Sequence, residues 1–360
     1  MKTLPRRTIL IGDAAATLRQ LPGASVDCVI TSPPYYALRD YGIQGQIGLE
    51  PNVHRWVEAL RRVMAELARV LKPTGSLWLN LGDSYSSHAR YGAPPKSLLL
   101  APERLLLALA ADGWIVRNKV IWAKPNPMPH SVTDRLNTTY EVMYFLVRDR
   151  RYAFDLDSIR EPHQSRASRT EHPAPLKPEP WAGPLAAGTQ AGLRRARPAH
   201  QPGHARGKNP GDVWVLPTHG YRGAHFATFP PELVVRPLLA TCPERICTRC
   251  GKPWRRTATI SVVGNKGPAV RDKYVRRYPR RWETVRELGP LHPDCSCGAE
   301  WKPGVVADPF MGAGTVGLVA ERFGRDWVGV EINPAFVRLA TERIESARSN
   351  PVTEPLRAAA

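Results

Sequence analysis

The stretch that most constrains this chain lies near its end. Val305-Val306-Ala307 reads as a short buried strand, Asp308 to Gly317 (DPFMGAGTVG) as a glycine-rich turn opening a helix, and Trp327 to Val330 as a second strand followed by Glu331. A strand, a tight turn, a helix and a strand are the grammar of a parallel α/β sheet. Only one more helical pattern follows, Pro334 to Ser346. If the sheet is to be complete, strands from the N-terminal part must extend it.

The first 160 residues supply such strands. Thr8-Ile9-Leu10-Ile11 and Val26 to Ile30 are short apolar runs, and Ser76 to Leu81, Trp114 to Trp122 and Tyr140 to Val147 read as further strands. Between them, Trp56, Leu60, Val63, Met64, Leu67 and Leu71 recur at helical spacing within His54 to Leu71, which Lys72-Pro73-Thr74-Gly75 ends. Ser97 to Ala111 is a leucine-rich helix closing near Gly113. Order breaks at Glu161: residues 161–210 hold nine of the 36 prolines and the run Arg194-Arg195-Ala196-Arg197, the pattern of an irregular insertion. It returns at Asp212-Val213-Trp214 and in a helix from Pro231 to Ala240. A second interruption, 242–303, is basic and carries cysteines; the tail from 349 reads as frayed.

A net charge of +19 and a pI near 10.1 favour a polyanionic partner, since neutralising phosphates releases counterions. A hydrophobic content of 42% supports a real core and excludes a chain disordered throughout. With no run of about 18 apolar residues and no signal peptide pattern, the expectation is a soluble, cytoplasmic protein with no membrane partner. Six cysteines there argue for metal or free thiols over disulfides.

Gly312, Gly314 and Gly317 spell G-x-G-x-x-G, a pattern that admits a nucleotide to the backbone, and an acid such as Glu331 after the next strand suits ribose hydroxyls. Asp308 argues against a dinucleotide, because a carboxylate is a poor neighbour for a pyrophosphate. It suits a cationic cofactor without phosphates, which S-adenosylmethionine is. At the other end of the chain, the strand Val26 to Ile30 runs into Thr31-Ser32-Pro33-Pro34-Tyr35-Tyr36. Neither proline can extend a central strand, so the strand ends in a stiff segment that holds carbonyls and side chains in fixed directions.

Asp308-Pro309-Phe310-Met311-Gly312-Ala313-Gly314-Thr315 resembles the cofactor loop of S-adenosylmethionine-dependent DNA amino-methyltransferases, and Thr31-Ser32-Pro33-Pro34-Tyr35 resembles their catalytic (Ser/Asn/Asp)-Pro-Pro-(Tyr/Phe) motif. The order, catalytic motif first and cofactor loop last, is similar to the permuted β class. Further matches follow in sequence order: Ile11-Gly12-Asp13, Leu21-Pro22, Leu71-Lys72-Pro73, Leu81-Gly82-Asp83-Ser84-Tyr85, Lys124-Pro125-Asn126-Pro127-Met128-Pro129, Asp134-Arg135 and His225 to Pro230.

The resemblance implies an α/β, Rossmann-like, circularly permuted S-adenosylmethionine-dependent methyltransferase fold, to which this chain's own two interruptions would add a basic insertion and a zinc-ribbon-like insertion. Double-stranded DNA would be its substrate, and a cognate restriction endonuclease is a conceivable partner. The Ser32 hydroxyl and Pro33 carbonyl would accept the N–H groups of a flipped base, Pro34 would stiffen the segment, and Tyr35 would stack on the base. Asp308 would lie near the methionine end of the cofactor, Glu331 at its ribose, Asp13 near its adenine, and Phe226 or Phe229 would wall the pocket. Thr31, Pro309, Phe310, Gly312, Gly314 and Thr315 complete the expected cofactor set. Serine at position 32 accompanies N4-cytosine methylation in this family, whereas aspartate there accompanies N6-adenine, so N4-cytosine is favoured. RNA methylation and a non-catalytic DNA-binding protein are the readings set against it. C5-cytosine chemistry lacks its Pro-Cys context.

Cys247-Thr248-Arg249-Cys250-Gly251 is a knuckle of the kind that wraps zinc, and Cys295-Ser296-Cys297-Gly298 is its natural partner, giving a four-thiolate structural site. The tight C-x-C spacing leaves His292 or Cys242 as substitutes for one ligand. Between the pairs, Arg255-Arg256, Arg276-Arg277 and Arg280-Arg281 interleave with Trp254, Tyr274, Tyr278 and Trp282, as in a nucleic-acid surface.

Overall fold

A computed structural model describes residues 3–129, 131–161, 207–218, 228–264 and 282–349. In chain order these form β1 (Thr8–Ile11), α1 (Ala14–Leu18), β2 (Val26–Thr31), α2 (Val53–Val70), β3 (Leu71–Leu81), α3 (Ala101–Ala111), β4 (Ile115–Ala123), β5 (Tyr140–Val147) and β6 (Val213–Val215). Then come α4 (Pro231–Thr241), β7 (Ile246–Cys247), β8 (Arg255–Gly264), β9 (Trp282–His292), β10 (Trp301–Lys302), β11 (Val305–Asp308), α5 (Thr315–Arg322), β12 (Asp326–Glu331) and α6 (Pro334–Ser349).

Eight strands make one sheet in the order β1-β12-β11-β2-β3-β5-β4-β6. Only β5 runs against its neighbours. The N-terminal strands thus complete the sheet begun by the C-terminal crossover, and β2 lies directly beside β11. Alternation along the central strands builds a core on each face. Leu77, Leu79 and Leu81 of β3 and Val142, Tyr144 and Leu146 of β5 pack with Trp56, Leu60, Met64 and Leu67 of α2. Trp78 and, from β5, Met143, Phe145 and Val147 pack on the other face with Leu233, Val234 and Leu238 of α4 and Val316 and Val319 of α5.

Two local departures from the periodicity have physical causes. The segment Lys72 to Gly75 is a bulge inside β3, because pairing with β2 jumps from Val26↔Leu71 to Cys28↔Ser76. Lys72 Nζ binds Asp27 Oδ1 at 2.6 Å, and Asp27 Oδ2 takes the Val305 amide at 2.9 Å, so the bulge is pinned to β2 and β11. Helix α3 begins at Ala101, since Leu100 is left-handed (φ 53°) and the Asp83 carboxylate, from the end of β3, takes the amides of Leu100 and Ala101.

The chain falls into two compact units, one of residues 1–159, 211–255 and 291–360, the other of 160–210 and 256–290. In the second, β8 pairs with β9, and Glu161 pairs with Lys208 through both backbones and an ion pair at 3.1 Å. The arginine run 194–197, Phe226, Tyr274, Tyr278 and the arginine pairs 276–277 and 280–281 lie outside the described residues. No helix among the described residues is long and apolar enough to cross a membrane.

Candidate active site

Because β2 and β11 are neighbours, their C-terminal ends place Thr31-Ser32-Pro33-Pro34-Tyr35 beside Asp308-Pro309-Phe310. The Thr31 hydroxyl donates to Asp308 Oδ1 at 2.7 Å, and the Phe310 amide donates to the same oxygen at 3.0 Å. Asp308 is only 2% exposed, and burial pushes its carboxyl up to about 7 despite these two donors. Glu331, at the end of β12, takes the Gly312 amide on Oε2 at 2.7 Å and the Asn333 amide on Oε1 at 2.9 Å; burial raises its pKa too.

The glycine turn works in two ways. Gly312 (φ 48°) and Gly314 (φ 75°) adopt left-handed backbone that glycine alone enters readily. Gly317 is required by packing: a Cβ there would lie 2.6 Å from Met311 Cε.

A cleft enclosing about 870 Å³, solvent at its mouth included, opens between these strand ends. Asp13, Ser32, Pro34, Phe229, Pro309, Phe310, Gly312, Thr315 and Glu331 all line it. Thr31, Pro33, Tyr35, Asp308 and Gly314 are not among the residues that line it, and Thr31 and Asp308 are buried. Sequence reasoning missed one wall, made of Tyr41, Ile43, Gln46, Ile332 and Phe336. The lining contains two carboxylates and no lysine or arginine, in a chain whose net charge is +19. That charge pattern suits a cationic ligand and repels a pyrophosphate.

Ser32 heads a second constellation. Its hydroxyl donates to the Tyr35 hydroxyl at 3.2 Å, which donates to Glu141 Oε2 at 2.6 Å. Asn80 Nδ2, with two hydrogens to share, lies within hydrogen-bond distance of Ser32 Oγ, Tyr35 Oη and Glu141 Oε2, at 3.3, 2.6 and 2.8 Å. Lys124 closes the chain on Glu141 Oε1, with its Nζ 4.5 Å from the centre of the Trp122 ring. Burial and the Glu141 carboxylate hold the Tyr35 phenol well above its ordinary range, so it stays protonated. The Pro34 carbonyl is taken by Trp56 Nε1 at 2.9 Å; the Pro33 carbonyl accepts no hydrogen bond from the described residues. Gly82 touches the Tyr35 ring, where a Cβ would come within 2.7 Å of Cε2.

A sequence model of the DNA methylase family matches residues 26–246 and 300–342. This chain is a member of the N6/N4 DNA methylase family. The methylase is 33% identical over 365 residues to the Type II methyltransferase M.XycI of Xanthomonas campestris pv. cyanopsidis, covering 95% of this chain and 89% of that one. It is 32% identical to M.Cfr9I of Citrobacter freundii with the same coverage. Among solved structures, PvuII DNA methyltransferase, described as cytosine-N4-specific, shares the fold with a TM-score of 0.54 at 17% identity, over 96% of this chain and 93% of that one.

The family match leaves 247–299 of the methylase unmatched, and the cysteine knuckles lie there. The Sγ atoms of Cys247, Cys250, Cys295 and Cys297 all lie within 4.8 Å of one another. A tetrahedral zinc site with Zn–S near 2.3 Å has edges of about 3.8 Å, so the four thiols fit such an ion with small adjustment. The β7–β10 pair closes the module, and Gly251 (φ 72°) and Gly298 (φ 59°) make its turns. Backbone amides of Cys250 and then Arg249 draw the Cys247 thiol down to about 6. Cys242 is buried at the end of α4 and His292 is exposed; neither belongs to the cluster. The Arg245 guanidinium lies over both the Trp254 and Trp301 rings, at 5.4 and 4.2 Å from their centres, and the two rings meet edge to face.

Proposed function

We propose that the methylase transfers the methyl group of S-adenosylmethionine to the exocyclic N4 amine of cytosine in duplex DNA, with the base turned out of the helix into the cleft. The observation that carries this reading is the chain from Ser32 through Tyr35 to Glu141, which begins on the wall of a cleft bearing carboxylates and no cation. Bound there, S-adenosylmethionine supplies an electrophilic methyl on a cationic sulfur. Glu331 keeps acceptor capacity for ribose hydroxyls after taking two amides, and Asp13, the Pro309–Thr315 loop and Phe229 enclose the remainder.

The target amine is a weak nucleophile because its lone pair is conjugated into the ring. Two acceptors beside its N–H groups, Ser32 Oγ and Pro33 O, favour the pyramidal nitrogen that can attack. Since the Ser32 hydrogen is already given to Tyr35, the serine oxygen presents lone pairs to the amine. As the new N–C bond forms and the methyl–sulfur bond breaks to leave a neutral thioether, the amine proton would pass to Ser32 Oγ, the serine proton to Tyr35 Oη, and the tyrosine proton to Glu141. Lys124 stabilises the carboxylate before transfer. Serine at position 32 favours cytosine over adenine. Isotopically labelled S-adenosylmethionine offered to unmethylated duplex DNA and to RNA tests the substrate class: label in DNA alone is expected, and label in RNA alone, or in neither, contradicts it.

Affinity for the cofactor should depend on pH through Asp308. Its folded pKa, about 7, lies above the usual carboxylate value, so the free protein loses stability from this group as pH rises from about 4 to 7 and no more above that. A bound cation favours the ionised form, and affinity for S-adenosylmethionine therefore rises as pH climbs through 7. Calorimetric titration at pH 6 and pH 8 should show tighter binding at pH 8, and Asp308→Asn should flatten the difference.

We assign the four cysteines to a structural zinc ion. Freshly purified protein is expected to contain about one zinc per chain, and Cys250→Ser to lower both metal content and thermal midpoint. A metal content well below one per chain would refute the site.

A further inference from the structure

Turning a base out of a duplex leaves a gap in the stack, and proteins that open DNA commonly fill such gaps with an apolar side chain. We propose that Leu136 is the side chain that enters the duplex where the target base has left; the inference rests on the base-flipping reading above. The loop from Lys124 to Thr139 joins β4 to β5 and is closed by the Lys124 amide on the Thr139 carbonyl at 2.8 Å. Its two ends carry Lys124 and Glu141, the last two members of the Ser32 chain. Anything held by this loop is therefore tethered to the reacting centre.

Within the loop, Leu136 is 89% exposed and Met128 79% exposed. Single exposed apolar residues are ordinary. What distinguishes Leu136 is that the two residues before it are held through their side chains. Asp134 takes Lys96 Nζ at 2.7 Å, and the Arg135 guanidinium lies 3.7 Å from the centre of the Tyr85 ring. On the other limb, Asn126 exchanges hydrogen bonds of 2.8 and 3.2 Å with the Thr218 backbone. The leucine follows directly on two anchored residues, one of them cationic. That arrangement presents an apolar tip beside positive charge, which is the chemistry of a wedge entering a polyanionic helix.

The test uses two duplexes carrying a site that the wild type methylates, located by sequencing methylated positions. One is fully paired; the other is abasic opposite the target, so the target base is already unpaired. Leu136→Ala is expected to lose about tenfold or more in kcat/KM on the paired duplex, equivalent to 1.4 kcal/mol, and to come within about threefold of wild type on the abasic one. Leu136→Phe, which keeps an apolar tip, should retain activity on both. With 2-aminopurine at the target position, wild type should raise the fluorescence of the paired duplex and Leu136→Ala should not. Equal losses on both duplexes, or no loss on the paired one, would overturn the wedge. If wild type methylates no DNA, the methyltransferase reading itself has failed, and the two failures are thereby distinguished.

Discussion

Ser32→Ala is expected to lower methyl transfer by about 10²–10⁴-fold while S-adenosylmethionine binding stays within about twofold of wild type. The cleft wall loses one hydroxyl, whereas the Glu331 contacts to Gly312 and Asn333 and the glycine turn are untouched. The amine then loses one of its two acceptors and the entrance to the proton path. Tyr35 and Asn80 still reach Glu141, at 2.6 and 2.8 Å, so the fold should hold and the thermal midpoint should move little. Single-turnover transfer with saturating cofactor separates this loss from binding. Transfer near the wild-type rate would show that the hydroxyl is not the acceptor.

Removing Glu141 should damage both stability and activity. Its carboxylate receives Tyr35, Asn80 and Lys124, and the Lys124 side chain is only 16% exposed. Glu141→Ala leaves a mostly buried ammonium with the Trp122 ring as its remaining neighbour among the contacts described, a loss of about 3–5 kcal/mol for breaking a buried pair. The denaturation midpoint should fall accordingly. Glu141→Gln keeps the shape and an acceptor for Tyr35 but removes the negative end of the proton path. It should fold while transferring methyl about 10²-fold more slowly. Glu141→Gln combined with Lys124→Met should recover stability without recovering activity. A Glu141→Ala variant as stable and active as wild type would contradict the network.

Much of this was legible in the chain. The strand Tyr140–Val147 follows its apolar run residue for residue, because an interior strand buried on both faces leaves a continuous apolar signature; Thr8–Ile11 also matches its run, although it is the half-buried edge of the sheet. Glu331 was legible as the acid that follows the strand after the glycine turn, and Ser32 through the resemblance of Thr31 to Tyr35 to a catalytic motif; both line the same cleft. Glu141, Asn80 and Lys124 were not read as site residues. Glu141 lies inside YEVMYFLV and Asn80 inside SLWLNL, runs that read only as buried strand. A charged residue in such a run must be paired, and that was the available signal; its partners lie on other strands, so no local spacing reveals them. The start of α3 was likewise hidden, since its capping carboxylate comes from Asp83, far along the chain. The wall of Tyr41, Ile43 and Gln46 sits in a loop with no periodicity.

The most direct test of the central claim is to methylate DNA with isotopically labelled S-adenosylmethionine, digest it to nucleosides and identify the labelled species by mass spectrometry. Label on N4-methylcytosine is the predicted result. Label on N6-methyladenine would keep the Ser32 chemistry and overturn the target, and label in no nucleoside would contradict the assignment of Ser32, Pro33 and the Glu331 cleft to methyl transfer.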